Sequence, residues 1–202
     1  MQIDPYPTTG LSMGSRRKQA AHLLRLRAQL GETGEFENLG FARVDHGREA
    51  RTGFPEVIFG EGKTRQQIAA IAARILARSG KVLITRIPAS VHRFLAADFP
   101  RLEYHAAARA AYQMEETPAL PGAEAAAAEA HILVLCAGTG DIPVAEEAAL
   151  TARFMGCKVR SLHDVGVAGL HRLLSQLPAL RRASVIIAVA GMEGALPSVV
   201  AG

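Results

Sequence analysis

Ile132-Leu133-Val134-Leu135-Cys136-Ala137-Gly138-Thr139-Gly140-Asp141 is the stretch that decides the fold. Ile132 to Leu135 is apolar at every position, which predicts a strand covered on both faces, and the glycines after it predict a tight turn into a helix. The same alternation continues downstream, with a helix expected over Pro143–Met155, a strand over Lys158–Leu162, a helix over Gly169–Leu177 and a strand over Ser184–Val189. Continuous apolar strands alternating with helices predict βαβ units in a parallel sheet. In such sheets ligands sit beyond the carboxyl ends of the strands. Three loops fall there: Ala137–Asp141, Asp164–Gly169 and Ala190–Gly194.

Working outward towards the N-terminus, residues 115–130 change composition to Thr-Pro-Ala-Leu-Pro-Gly followed by an Ala/Glu run, which predicts a linker, helical at its end. Residues 131–202 are then one unit and 15–114 another, preceded by a disordered leader over 1–14. In the first unit, spacing predicts helices from Arg16 to Leu30, from Thr64 (as N-cap) with Gly80 beyond its C-terminus, and from Ala89 to Asp98. Short strands are expected at Phe41–Asp45, Glu56–Phe59, Val82–Thr85 and near Leu102, with a polar turn at His46-Gly47-Arg48. The expected fold class is α/β, a small N-terminal α/β domain followed by a three-layer α/β/α domain with a parallel sheet.

Composition narrows the function classes. The chain has 202 residues, 49% of them apolar, enough for a real core. Aromatics are 5% and Trp is absent, so a stacking platform for bases is not expected, and neither is nucleic-acid binding. Lys and Arg exceed Asp and Glu by 23 to 19, a balance that suits an anionic small molecule as well as any other partner. No apolar run approaches the roughly 20 residues that span a bilayer, and no signal-peptide core is present, so no membrane association is expected. Arg16, Arg17, Lys18, Arg25 and Arg27 read as a solvated helix face. With only Cys136 and Cys157, the expected compartment is the reducing cytoplasm.

Each loop has a chemical and a plain reading. Backbone N–H groups at Gly138, Thr139 and Gly140 can approach an oxyanion, though a tight βα turn uses the same glycines. Asp141 can N-cap the following helix or accept hydrogen bonds from ribose hydroxyls. Arg172, beside His171, can grip a phosphate through two parallel hydrogen bonds, or the pair can be a surface Arg and a capped His. Glu193 lies among small residues, where desolvation would suit it to proton transfer. Cys136 reads as a small buried hydrophobe at the end of its strand rather than a nucleophile, and no transition-metal spacing occurs among the histidines. In the first unit Asp45, Arg48, Arg51, Glu56 and Lys63 form a charged concentration that is either a binding loop or solvated turns.

The blocks VDHGREARTGFPEVIFGEGKT (44–64), AGTGDIPVAEEAALTA (137–152), DVGVAGLHRLL (164–174) and VAGMEGALPSVV (189–200), in that order, resemble the LarB family. Its C-terminal domain is similar to aminoimidazole ribonucleotide carboxylase (PurE). The resemblance implies a substrate, nicotinic acid adenine dinucleotide, carboxylated on its pyridinium ring and cleaved at the phosphoanhydride with release of AMP. The implied product, pyridinium-3,5-biscarboxylic acid mononucleotide, is the precursor of the nickel-pincer cofactor of lactate racemase. Carbon dioxide or bicarbonate is the implied co-substrate, with Mg2+ as a candidate ion, and the implied assembly is a homo-oligomer, an octamer like the purine enzyme.

A pyridinium ring is electron-poor and must accept a nucleophile before it can attack carbon dioxide. A thiolate is the implied nucleophile and Glu193 the candidate base for the ring proton. The nucleotide would then contact Gly138, Thr139, Gly140, Asp141, Asp164, His171, Arg172, Gly191 and Met192, with Asp45, Arg48, Arg51 and Lys63 as candidates from the first unit. Ala195 stands before Leu196-Pro197 where the purine enzyme has its catalytic histidine, and Gly140 stands where the family's AGTSD loop has serine. The family's cysteine lies downstream of the last block, at neither Cys136 nor Cys157. The C-terminal unit is also short against the about 100 to 150 residues of a typical domain, so it is expected to be incomplete, with an open sheet edge. The alternatives are a purine-type carboxylase and a non-catalytic nucleotide-binding module.

Overall fold

The structure, a computed structural model, describes residues 36–114 and 131–202. The leader over 1–14, the helix from Arg16 to Leu30 and the linker over 115–130 lie outside the described residues.

The chain enters through a hairpin of β1 (Phe36–Asn38) and β2 (Arg43–Asp45), turned by Gly40 at φ 84° under the Asn38 side chain. The polar turn expected at His46–Arg48 instead opens a short helix, α1 (Arg48–Thr52). Gly53, at φ 76°, ends it by donating its N–H to the Glu49 carbonyl. After β3 (Ile58–Phe59), α2 (Arg65–Ser79) runs as expected between a capping box and a glycine. Thr64 Oγ1 accepts from the Gln67 N–H (3.2 Å), Gln67 Oε1 accepts from the Thr64 N–H (2.9 Å), and Gly80 takes φ 69°. Then come β4 (Val82–Thr85), α3 (Ala89–Leu95), β5 (Glu103–His105) and β6 (Ala110–Gln113). Their sheet has the order β3-β4-β6-β5, with β3 parallel to β4 and the other neighbours antiparallel.

In the C-terminal unit β7 (Ile132–Cys136) is the central strand, flanked in parallel by β8 (Val159–Leu162) and β9 (Val185–Val189). α4 (Ile142–Phe154) covers one face; α5 (Leu170–Leu174), α6 (Leu177–Arg182) and α7 (Leu196–Ala201) cover the other. The single helix expected over Gly169–Leu177 is broken after Leu174. Pro178 lacks an N–H for a continuing helix but fits the first turn of a new one, and α6 starts there.

Alternation along the strands explains the layering. Val82 and Ile84 face α2 and α3 in a core with Ile68, Ile71 and Leu95, whereas Leu83 faces the other way, onto Leu150 and Phe154 of α4. The opposite side of α4 presents Ala145 and Ala149 to Val134 and Cys136 of β7. One helix is thus shared by both sheets, and this is what fixes the N-terminal unit against the parallel sheet. β4 is buried along its whole length for the same reason.

Candidate functional site

The loops that follow β7, β8 and β9 meet at one end of the parallel sheet. They are joined by backbone hydrogen bonds: the Val165 N–H donates to the Cys136 carbonyl (3.0 Å), Gly166 to Ala137 (2.8 Å) and Ala137 to Val189 (3.0 Å). Gly166 approaches so closely that a Cβ there would lie 2.7 Å from the Ala137 carbonyl oxygen. Between the loops is a pocket of about 360 Å³ lined by Gly138, Asp141, Asp164, Arg172, Met192 and Glu193, with small residues filling its floor. Its charged lining is one guanidinium against three carboxylates.

Asp141 has a structural duty that neither sequence reading anticipated. Its side chain does not cap α4. Instead Oδ2 accepts from the Gly138 N–H and Oδ1 from the Gly191 N–H, each at 3.0 Å, so one carboxylate ties the first loop to the third across 50 residues of chain. Each oxygen keeps a second lone pair for a ligand. Arg172 reaches over Gly169 and places its Nη1 2.5 Å from Asp164 Oδ2. Gly169 leaves the room for it, since a Cβ there would stand 2.5 Å from Arg172 Nε.

The third loop is open to solvent. Met192 is 100% exposed, and Glu193 is exposed too, so the desolvation expected for Glu193 is absent from the free protein. Thr139, Gly140, His171 and Gly191 do not line the pocket, although the Gly191 N–H is held at its edge by Asp141.

None of the N-terminal cluster lines this pocket. Glu49, Gly53 and Pro55 border a cavity with Arg153 to Gly156, at the helix's C-terminal end, roughly 20 Å of helix away from the pocket at its N-terminal end. Arg48 and Arg51 share α1 with Glu49. Arg51 clasps the Asp45 carboxylate with both terminal nitrogens, and this hydrogen bonding holds the Asp45 pKa below the usual carboxylate range. Glu56 accepts from the Asp45 N–H. Lys63 lies on the turn after β3 and donates to the Phe59 carbonyl (2.7 Å). The neighbouring Glu61 meets Arg86 (3.8 Å), which pairs with Glu147 in the first half of α4.

A further polar group went unnoticed in the sequence. Glu146 is 8% exposed, with Oε1 2.9 Å from His163 Nε2 and Oε2 3.4 Å from His105 Nε2, so a buried carboxylate links a histidine from each unit. The signal was available: Glu146 shares the face of α4 that carries Ala145, Ala149 and Leu150, where an isolated carboxylate requires partners.

Cys136 is fully buried at the end of β7, its Sγ 3.6 Å from the Gly138 carbonyl, and burial pushes its thiol pKa up. Cys157 is exposed and precedes β8, at the opposite end of the sheet from the loops. Iodoacetamide at neutral pH is therefore expected to alkylate Cys157 and leave Cys136 free until the protein is unfolded, a difference that peptide mass spectrometry reads directly. Rapid labelling of Cys136 in the folded protein would contradict this burial.

Among the described residues no helix is long and apolar enough to cross a membrane, and no group of three or more His, Cys, Asp or Glu side chains is placed to hold a metal ion. Comparison with known proteins places the N-terminal unit first: residues 36–115 match the LarB/PurE-like N-terminal domain. An uncharacterized protein of Methanocaldococcus jannaschii, MJ0165, is 36% identical over 176 residues, covering 79% of this chain and 62% of that protein. The chain thus spans less than two thirds of that relative's length. Residues 36–115 are thus similar to a LarB/PurE-like N-terminal domain, and they pack through α4 onto a parallel sheet with a three-loop pocket.

Proposed function

We propose that the protein carboxylates the pyridinium ring of nicotinic acid adenine dinucleotide and cleaves its phosphoanhydride, releasing AMP and pyridinium-3,5-biscarboxylic acid mononucleotide. The observation that carries this reading is the convergence of Arg172, Asp141 and Glu193 on one pocket at the carboxyl ends of a parallel sheet, beside a LarB/PurE-like domain. In this reading Arg172 takes a phosphate and Asp141 faces the ribose while holding the loops. Glu193 stands beside the pyridinium ring, which covers it and supplies the desolvation that the free protein lacks.

The chemistry has four movements. A thiolate adds to the ring and makes it enamine-like; the ring carbon then attacks carbon dioxide. Glu193 removes the proton from that carbon, and the thiolate leaves as aromaticity returns. Water cleaves the phosphoanhydride to give AMP. Neither thiol described above faces the pocket as a thiolate, so this reading takes its nucleophile from elsewhere than Cys136 or Cys157. The described residues offer Mg2+ no cluster of their own, and no step is assigned to it.

Formation of the nickel-pincer cofactor precursor, a cytoplasmic location and assembly as a homo-oligomer, an octamer as in the purine enzyme, belong to the same proposal. Exposed Leu174 and Val185 give copies of the chain apolar surface to share.

A non-catalytic nucleotide-binding module is the second reading, favoured by the position of the two thiols. The purine-type reaction is disfavoured because Ala195 cannot move a proton. The test is incubation of the protein, expressed from its whole gene, with the dinucleotide, bicarbonate and Mg2+. Release of AMP together with a mononucleotide carrying one added carboxylate supports the proposal. Tight binding without AMP supports the module, and absence of binding and products contradicts both.

A further inference from the structure

We infer that Asp164 is a built-in competitor for the anionic group of the ligand: it occupies Arg172 in the free protein and is displaced when a phosphate arrives. This rests on the proposed phosphate role of Arg172 and adds to it a residue that sets how strongly, and for what charge, the pocket binds.

Four observations support it. Asp164 and Arg172 both line the pocket, so their pair stands in the ligand's path rather than behind it. Their nearest approach is Arg172 Nη1 to Asp164 Oδ2 at 2.5 Å, with side chains 38% and 51% exposed for Arg172 and Asp164. A guanidinium has five N–H donors, and a phosphate, with three acceptor oxygens and a charge of up to about −2, competes for them more strongly than the single charge of Asp164 does. Exposure matters as well, because a solvated ion pair is weak and exchanges its partner at little cost.

The backbone also builds Asp164 into this position. It takes φ 58°, in the left-handed region that Asp and Asn enter more readily than most residues. The loop continues to Gly166, fixed by its hydrogen bond to Ala137, and to Gly169, whose missing Cβ lets the guanidinium lie across it. The other carboxylates of the pocket are differently employed: Asp141 holds two loop N–H groups, and Glu193 has no ion pair within 4.0 Å among the described side chains. Asp164 is therefore the carboxylate that an incoming anion must replace.

The consequence is selective. A ligand with a weak or single negative charge gains little by replacing Asp164, whereas a phosphate that bridges two guanidinium donors gains more. Asp164 thus raises the threshold for occupancy and discriminates in favour of phosphate esters over small carboxylates.

Asp164→Asn keeps the shape and suits the left-handed backbone while removing the competing charge; Asp164→Gly serves if the amide variant does not fold. Binding of inorganic phosphate, AMP and the dinucleotide is measured at constant ionic strength in the wild type, in Asp164→Asn, in Arg172→Ala and in the double variant. Phosphate and AMP are expected to bind on the order of three- to tenfold more tightly to Asp164→Asn, with the gain shrinking as salt is raised. In the Arg172→Ala background the Asp164 substitution should change nothing. Unchanged or weaker phosphate binding by Asp164→Asn, or a gain that survives loss of Arg172, overturns the inference. If phosphate follows the expected pattern but neither AMP nor the dinucleotide binds, the competition stands and the nucleotide reading falls. If the dinucleotide binds wild type and Asp164→Asn alike, the nucleotide reading stands and the competition falls.

Discussion

Glu193→Gln is expected to slow carboxylation by about 10²- to 10⁴-fold, roughly 3 to 5 kcal/mol in the barrier, with dinucleotide affinity nearly unchanged. The amide is close to isosteric with the carboxylate, and the loop does not depend on the carboxylate for its shape: Gly194, at φ 78°, turns it, and Asp141 anchors it at Gly191. What the substitution removes is the ability to accept the ring proton. The assay separates saturated turnover from affinity in the protein expressed from its whole gene. If Glu193→Gln abolished binding but left saturated turnover intact, Glu193 would be a ligand anchor.

Gly166→Ala is expected to destabilise the fold by about 1 to 3 kcal/mol and to abolish ligand binding at the pocket. The reason is steric rather than conformational, because Gly166 sits at φ -65°, a value that alanine accepts. The added methyl would lie 2.7 Å from the Ala137 carbonyl oxygen and 3.2 Å from its carbon, both backbone atoms. Ala137 cannot step aside: its N–H is bonded to Val189 and its carbonyl accepts from Gly166 itself. Relief requires the second loop to separate from the first, taking Asp164 and Arg172 with it. Urea denaturation together with a dinucleotide titration reads both effects. Wild-type stability and affinity in Gly166→Ala would mean that this close approach does not organise the site.

Much of this arrangement was legible in the chain, and the residues show why. Ile132–Leu135 reads as a buried strand because every position is apolar, and both faces are indeed covered by helices. α2 announces itself through Thr64, Gln67 and Gly80, all local signals. β6 could not be read, since Ala110-Ala111-Tyr112-Gln113 lacks alternation and is a strand only through its pairing with β4 and β5. The helix expected over Gly169–Leu177 stops short of Pro178, and α6, which carries that proline in its first turn, has no apolar spacing of its own to announce it. At the site, the three loops follow from the order of the elements, but the tie from Asp141 to Gly191 and the pairing of Glu146 with His105 and His163 join residues far apart in sequence. No local pattern specifies such partners. The N-terminal charged cluster reads as one group in the chain, yet Asp45, Arg48, Arg51 and Lys63 do not line the pocket, and Glu49 of the same helix as Arg48 and Arg51 borders a cavity at the far end of α4.

The central claim is that the dinucleotide is handled by the loops at the carboxyl ends of β7, β8 and β9. Amide hydrogen exchange with and without nicotinic acid adenine dinucleotide tests it most directly. Slowed exchange over 137–141, 164–172 and 190–194, with 45–56 unchanged, is the predicted result. Protection confined to 45–56, or none over the three loops at saturating dinucleotide, would contradict it.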